Sequence, residues 1–145
     1  MKLEEILAHW EEDSKVDTTE IAQEAMKIST FHHKYFKMFL VERTILKKMK
    51  EKLQLTRRFK WRYYTGKCSL EECRAEGIEQ FQEKFLTKDD ITLFINSDKD
   101  IIRANIEIAE QENKTDLLEG ILKHLVNRGY NLKTAMDFIK YSEGM

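Results

Sequence analysis

Apolar residues recur at steps of three and four along almost the whole chain. Leu3, Ile6, Leu7 and Trp10 share one helical face, with Glu4, Glu5, Glu11 and Glu12 around them. This pattern predicts a short amphipathic helix from Leu3 to about Ser14. Asp17-Thr18-Thr19-Glu20 has capping-box spacing, with Asp17 as N-cap and Glu20 at the third helical position. From there to Thr65 neither Gly nor Pro occurs. Ile21, Ala25, Ile28, Phe31, Tyr35, Met38, Ile45, Met49, Leu53, Phe59 and Tyr63 form a stripe close to a coiled-coil seam, with Glu42 and Lys52 on or near it. The expectation is one long central helix over 17–67, or two with a bend, closed by Gly66 as a C-cap. Such a helix cannot bury itself in a small globule. It must pack along other helices or other subunits.

Ser69-Leu70-Glu71-Glu72 is a second helix-start signal. It predicts a helix to about Phe85, made uneven by Gly77. Thr87-Lys88-Asp89-Asp90 is a third and Ser97-Asp98-Lys99-Asp100 a fourth. Between them ITLFIN at 91–96 reads equally as a helical turn or a short strand. A long helix then runs to about Arg128, with Leu117, Leu118, Ile121, Leu122, Leu125 and Val126 on one side. Gly129 is expected to end it, and Asn131 to cap a last helix carrying Leu132, Ala135, Met136 and Ile139. No repeat, low-complexity segment or dividing linker interrupts the pattern. The fold class is all-α, in one helical domain over 1–145 with C-terminal helices over 98–145.

Composition supports this. The 145 residues include five Gly and no Pro, with 41% hydrophobic and 35% charged. Few breakers favour long helices. No apolar run reaches membrane-spanning length. The start, MKLEEILAHWEEDS, lacks the basic and apolar regions of a signal peptide, so a soluble intracellular protein is expected. Cys68 and Cys73 stand in C-x4-C spacing and read as reduced thiols. A zinc site would need two more ligands, and His9, His32, His33 and His124 are scattered.

Charge changes the picture more. The net charge of −1 hides a segregation: residues 1–42 carry −4, residues 43–67 carry +9, and residues 68–145 carry −6. The middle segment implies a polyanionic partner. Its end reads RRFKWRYYTGK over 57–67. At about 100° per residue, Arg57, Lys60, Trp61 and Tyr64 fall on one helical face. Arg58 and Arg62 lie on the adjoining face, while Phe59 and Tyr63 point along the apolar seam. Lys and Arg meet phosphates through counterion release. Aromatic faces stack on unpaired bases, each worth about 1–3 kcal/mol. Gly66 and Lys67 beyond could approach a phosphate closely. The mixture suits single-stranded nucleic acid. An acidic protein, or the acidic flanks of a neighbouring subunit, would also answer the charge.

Several segments together resemble the UvsY recombination mediators of T-even-like bacteriophages: KLEEIL, VDTTEI, the run R-x-K-x-x-YYTG, SDKDII and RGYNLK…MDFIKY. The resemblance covers nearly the whole chain in order. Arg58, Lys60, Tyr63, Tyr64, Thr65 and Gly66 fill its central motif. It departs from the family pattern in its Arg-x-Lys order, where some relatives have Lys-x-Arg. Arg62 stands where an acidic residue can stand elsewhere, and Trp61 adds an indole. The resemblance implies a mediator that binds single-stranded DNA without sequence preference. Such a mediator contacts the phage recombinase UvsX and the phage single-strand-binding protein, and helps load the recombinase on covered strands. It implies roles in recombination, recombination-dependent replication and repair, in the cytoplasm of the infected bacterial host. It also implies a ring-shaped homo-oligomer, hexameric or heptameric, with no cofactor. The resemblance implies that Arg58 and Lys60 carry the family's DNA-binding role. Arg57, Trp61, Arg62, Tyr64 and Lys67 join them on the pattern of the residues.

The C-terminal apolar residues read as core on pattern alone. With the resemblance, Leu118, Ile121, Leu122, Leu125, Met136 and Ile139 become candidate oligomerisation contacts as well. A second function class is a helical structural adaptor whose basic helix docks an acidic protein. An enzyme is not expected, since the chain contains no P-loop, H-E-x-x-H or G-x-S-x-G.

Overall fold

The computed structural model describes residues 1–84 and 86–144. Among these residues are five helices: α1 (Leu3–Asp13), α2 (Ile21–Tyr64), α3 (Leu70–Ala75), α4 (Lys88–Asn96) and α5 (Lys99–Ser142). No strand occurs among the described residues, and none of the helices is long and apolar enough to cross a membrane. The chain forms two compact units. Unit 1 holds residues 1–44 and 111–145, and unit 2 holds residues 45–110. Both α2 and α5, 44 residues each, contribute to both units.

The ends of α2 differ in how they are made. Asp17 does not cap it: its carboxylate accepts the Thr19 N–H at 2.9 Å and the Thr19 hydroxyl at 2.6 Å, closing a local turn, and the helix starts at Ile21. At the other end Gly66 has φ of +75°. Gly66 N–H donates to the Tyr63 carbonyl and Lys67 N–H to the Arg62 carbonyl, the paired bonds of a Schellman cap. A second such cap at Gly77 stops α3, with Gly77 N–H bonded to Arg74 and Ile78 N–H to Cys73. The helix starting at Ser69 is therefore six residues long, and 78–84 are not helical. The expected end at Phe85 lies outside the described residues. ITLFIN is helical, because Thr87 and Asp90 close a reciprocal capping box in front of it.

The buried positions of α5 include Ile101, Ile108, Gln111, Thr115, Leu118, Ile121, Leu125, Arg128 and Leu132. The stripe keeps steps of three and four through Gly129 to Leu132, so one helix replaces the expected two. Gly129 keeps helical dihedrals rather than the left-handed conformation of a cap. A β-carbon there would only touch Ile28 Cδ1, at 3.8 Å. Polar residues within the stripe hid this continuity from the pattern.

In unit 1, α1 and the halves of the two long helices enclose Ile6, Tyr35, Leu118, Ile121 and Leu125, with Trp10, Phe31, Met38, Phe39, Leu117 and Leu122 packed around them. Leu118, Ile121 and Leu125 thus serve the chain's own core, and Leu122 packs against it. Met136 is half-buried and Ile139 exposed. Trp10 stands edge-on to Tyr35 and His124. Tyr35 donates to Asp13 at 2.8 Å, while Arg128 donates to the Asp13 and Ser14 carbonyls at the end of α1. The buried Glu42 carboxylate accepts from Gln111 Nε2 at 2.6 Å, so the acidic residue on the seam has its partner within the unit. In unit 2, Cys68, Cys73, Ile95, Ile101 and Ile108 are buried. Beside them Tyr63, Tyr64, Phe81 and Phe94 form an aromatic cluster.

Leu118 is fully buried, so Leu118→Ala is expected to cost about 2–5 kcal/mol of unfolding free energy in urea. Met26→Ala, at a 79% exposed position, is expected to change it by less than about 0.5 kcal/mol.

Candidate nucleic-acid interface

The basic-aromatic end of α2 divides into an inner and an outer side. The inner side continues a stripe of half-buried and buried positions, Leu46, Met49, Leu53, Thr56 and Lys60, at steps of three and four. Lys60 therefore points into unit 2, only 9% exposed. Its ammonium lies 3.2 Å from Asp98 Oδ2 and 2.9 Å from Asp100 Oδ2. One turn on, the Tyr64 hydroxyl donates to the same Asp98 oxygen at 2.7 Å, and its ring stacks on Phe94 with centroids 5.5 Å apart. The other Asp98 oxygen accepts the N–H groups of Asp100 at 2.9 Å and Ile101 at 3.4 Å. It is the N-terminal cap of α5.

These contacts set the ionisation of the cluster. Burial alone would raise the Asp98 carboxyl, but hydrogen bonds from Tyr64 and Lys60 outweigh it and hold the group below the ordinary carboxylate range. Burial works against the Lys60 ammonium, yet Asp100 and Asp98 more than compensate, and its pKa is raised. Burial and the bond to Asp98 push the Tyr64 phenol upward, keeping it a neutral donor.

The outer side is different. Lys47, Lys50, Gln54, Arg58 and Trp61 are exposed and recur at steps of three and four, forming a stripe about 21 Å long. Arg58 makes no ion pair or hydrogen bond among the described residues. Trp61 is 44% exposed, with the Lys67 ammonium 4.3 Å above its ring centre, a cation–π pair. Arg62 is tied down by Glu72 at 2.9 Å, and Arg57 donates to Asn96 at 3.3 Å.

Of the seven residues expected to form the interface, the structure thus gathers Arg58, Trp61 and Lys67 on the outside, with Arg57 and Arg62 at its margins. It turns Lys60 and Tyr64 inward. The expectation of a shared outer face for Arg57, Lys60, Trp61 and Tyr64 is corrected. The α4–α5 junction and residue Phe81 cover a wider arc of α2 than the Phe59–Tyr63 seam alone. Asp98 was legible in sequence only as a helix cap. Its reach to Lys60 and Tyr64 is a long-range contact that no local spacing reveals.

The two thiols are free and buried. Burial, with the neighbouring Cys73 and Glu72, pushes Cys68 up to about 11, which keeps it protonated and unreactive at neutral pH. Among the described residues no group of three or more His, Cys, Asp or Glu side chains is placed to hold a metal ion.

The sequence model of a family described as "Recombination, repair and ssDNA binding protein UvsY" matches residues 9–145. The chain belongs to the UvsY family. Its structure superposes on crystal structures of the bacteriophage T4 recombination mediator protein UvsY. In lattice type II the TM-score is 0.84 at 18% identity, over 99% of this chain and 98% of that one. In lattice type IV the TM-score is 0.79 at 15% identity, over 98% and 99%. These likenesses establish a UvsY fold. No curated protein matches the chain.

The depressed Asp98 pKa fixes a pH dependence. Such a group contributes stability that is present above its unfolded-state pKa, about 3.9, and is lost as pH falls through the lower folded value. Unfolding free energy is expected to fall as pH drops from 5 to below 4. Asp98→Asn is expected to lose about 2 kcal/mol at neutral pH and to show a shallower acid limb, read from urea titrations at each pH.

Proposed function

We propose that the chain is a recombination mediator that binds single-stranded DNA along the outer side of α2's C-terminal third. The observation that carries this reading is the exposed stripe Lys47, Lys50, Arg58 and Trp61, extended by Lys67, in a segment of +9 charge. Phosphates would lie along the cations, gaining affinity by counterion release. The indole of Trp61 offers a face for an unpaired base, which duplex DNA would keep hidden in its stack. The family description names single-stranded DNA binding, and the T4 protein of the same fold is a recombination mediator.

In this reading the mediator loads a UvsX-type recombinase onto strands covered by the phage single-strand-binding protein, in the cytoplasm of the infected cell. Several copies in a ring would present several basic stripes to one strand, raising avidity by effective concentration. Phe138, Ile139 and Tyr141 supply exposed apolar surface for such assembly, since Leu118, Ile121 and Leu125 are occupied by the core.

Fluorescence anisotropy with a labelled single strand, with a duplex as control, tests the proposal. Single-strand affinity is expected to fall steeply with salt and to exceed duplex affinity. The double variant Arg58→Ala/Trp61→Ala is expected to bind roughly 30-fold more weakly, having lost one charge and one stacking face. Sedimentation of the same samples is expected to show an unchanged oligomer. Equal affinity of the double variant at several salt concentrations removes the site. Absence of oligonucleotide binding by the parent protein supports the adaptor instead.

A further inference from the structure

We infer that Asp98 is a positioning residue for the strand-binding side of α2, and that Lys60 acts through it rather than by touching a phosphate. The inference rests on the single-strand reading above.

The geometry is that of a fixed peg. The Asp98 side chain is 8% exposed. One carboxylate oxygen is held by the first N–H groups of α5, and the other receives Tyr64 and Lys60. A carboxylate has about four acceptor sites, and all are used. Lys60 and Tyr64 stand one turn apart on α2, so two bonds to one oxygen fix both the rotation of the helix and its axial position. With Lys60 pointing at Asp98, Trp61 lies about 100° away and Arg58 about 160° away around the helix axis. That rotation exposes both. The Tyr64 ring on Phe94 holds the same setting by packing.

A direct phosphate contact at Lys60 meets two obstacles. The ammonium is buried, and both neighbours within 3.2 Å are carboxylates. A phosphate brought there would face two like charges, and the repulsion from the buried Asp98 carboxylate is little screened by solvent. The outward Arg58 has neither obstacle.

The two roles predict opposite signs. If Asp98 merely neutralises Lys60, then removing its charge leaves the site more positive and tightens binding to a polyanion. If Asp98 positions the helix, removing its charge weakens binding although the protein becomes more positive. We expect Asp98→Asn to bind a labelled single strand about tenfold more weakly, because the ion pair is lost and the one remaining acceptor oxygen cannot serve both the α5 N–H groups and the Lys60–Tyr64 pair. Lys60→Met placed in the Asp98→Asn background is expected to add nothing, the signature of residues acting as one unit. Tyr64→Phe keeps charge and ring and deletes one bond; it is expected to bind about threefold more weakly.

Binding is measured well below the melting temperature of each variant, at unchanged helical circular dichroism. Should Asp98→Asn fail to fold, Tyr64→Phe decides alone. Asp98→Asn binding as tightly as the parent or more tightly, or Tyr64→Phe with unchanged affinity, overturns the inference. Lys60→Met lowering the salt slope by about 0.7 with Asp98 intact, as loss of one phosphate contact on a single strand would, also overturns it if Arg58→Ala gives the same decrement. Arg58→Ala serves as the separate control. If the parent does not bind, or Arg58→Ala changes nothing, the strand-binding reading itself fails, whatever Asp98 does.

Discussion

A single buried carboxylate organises the basic-aromatic end of α2. Asp98 ends one helix-start and anchors another helix-end at once: it caps α5 and receives Lys60 and Tyr64 of α2. Without it, the Lys60 ammonium would keep only Asp100, and the inward Tyr64 hydroxyl would lose its acceptor. With it, the polar break in the seam becomes a register mark. The packing in unit 2 agrees with this, with Tyr64 on Phe94, Phe81 edge-on to both, and Ile95 and Ile101 buried in the same unit. The chemistry follows too, since the side of α2 that cannot enter the unit is the side left to solvent.

Unit 1 obeys the same rule. Its seam contains Glu42 and Arg128, each fully partnered by Gln111 and by the carbonyls that end α1. Buried polar groups in these helices are placed where another backbone or side chain answers them. This lets helices of weak amphipathicity pair specifically, at a cost in apolar area. It also explains why two 44-residue helices persist without a continuous apolar stripe.

Much of this was legible in the sequence, and the misses share a cause. Absence of Gly and Pro between Asp17 and Thr65 predicted α2, and the Thr87–Asp90 box located α4. Gly66 was read correctly as a cap because a cap is a local device. Gly129 was misread because its role depends on whether the buried stripe continues, and that stripe passes through Gln111, Thr115 and Arg128. Lys60 was misread for the same reason. Steps of three and four from Met49 through Leu53 and Thr56 lead straight to it, but a pattern scored on apolar residues skips a lysine. The charge segregation was visible at once, whereas the partition of that charge between an inner and an outer side needed Asp98, which lies 38 residues from Lys60 in the sequence.

The central claim is that the strand lies on the outer side of α2, against Trp61. Photocrosslinking of a bromodeoxyuridine-substituted single strand, followed by peptide mapping, tests it directly. Crosslinks are expected at Trp61 and within 57–67, and to disappear at high salt. Crosslinks confined to unit 1, with none between residues 45 and 67, would contradict the account.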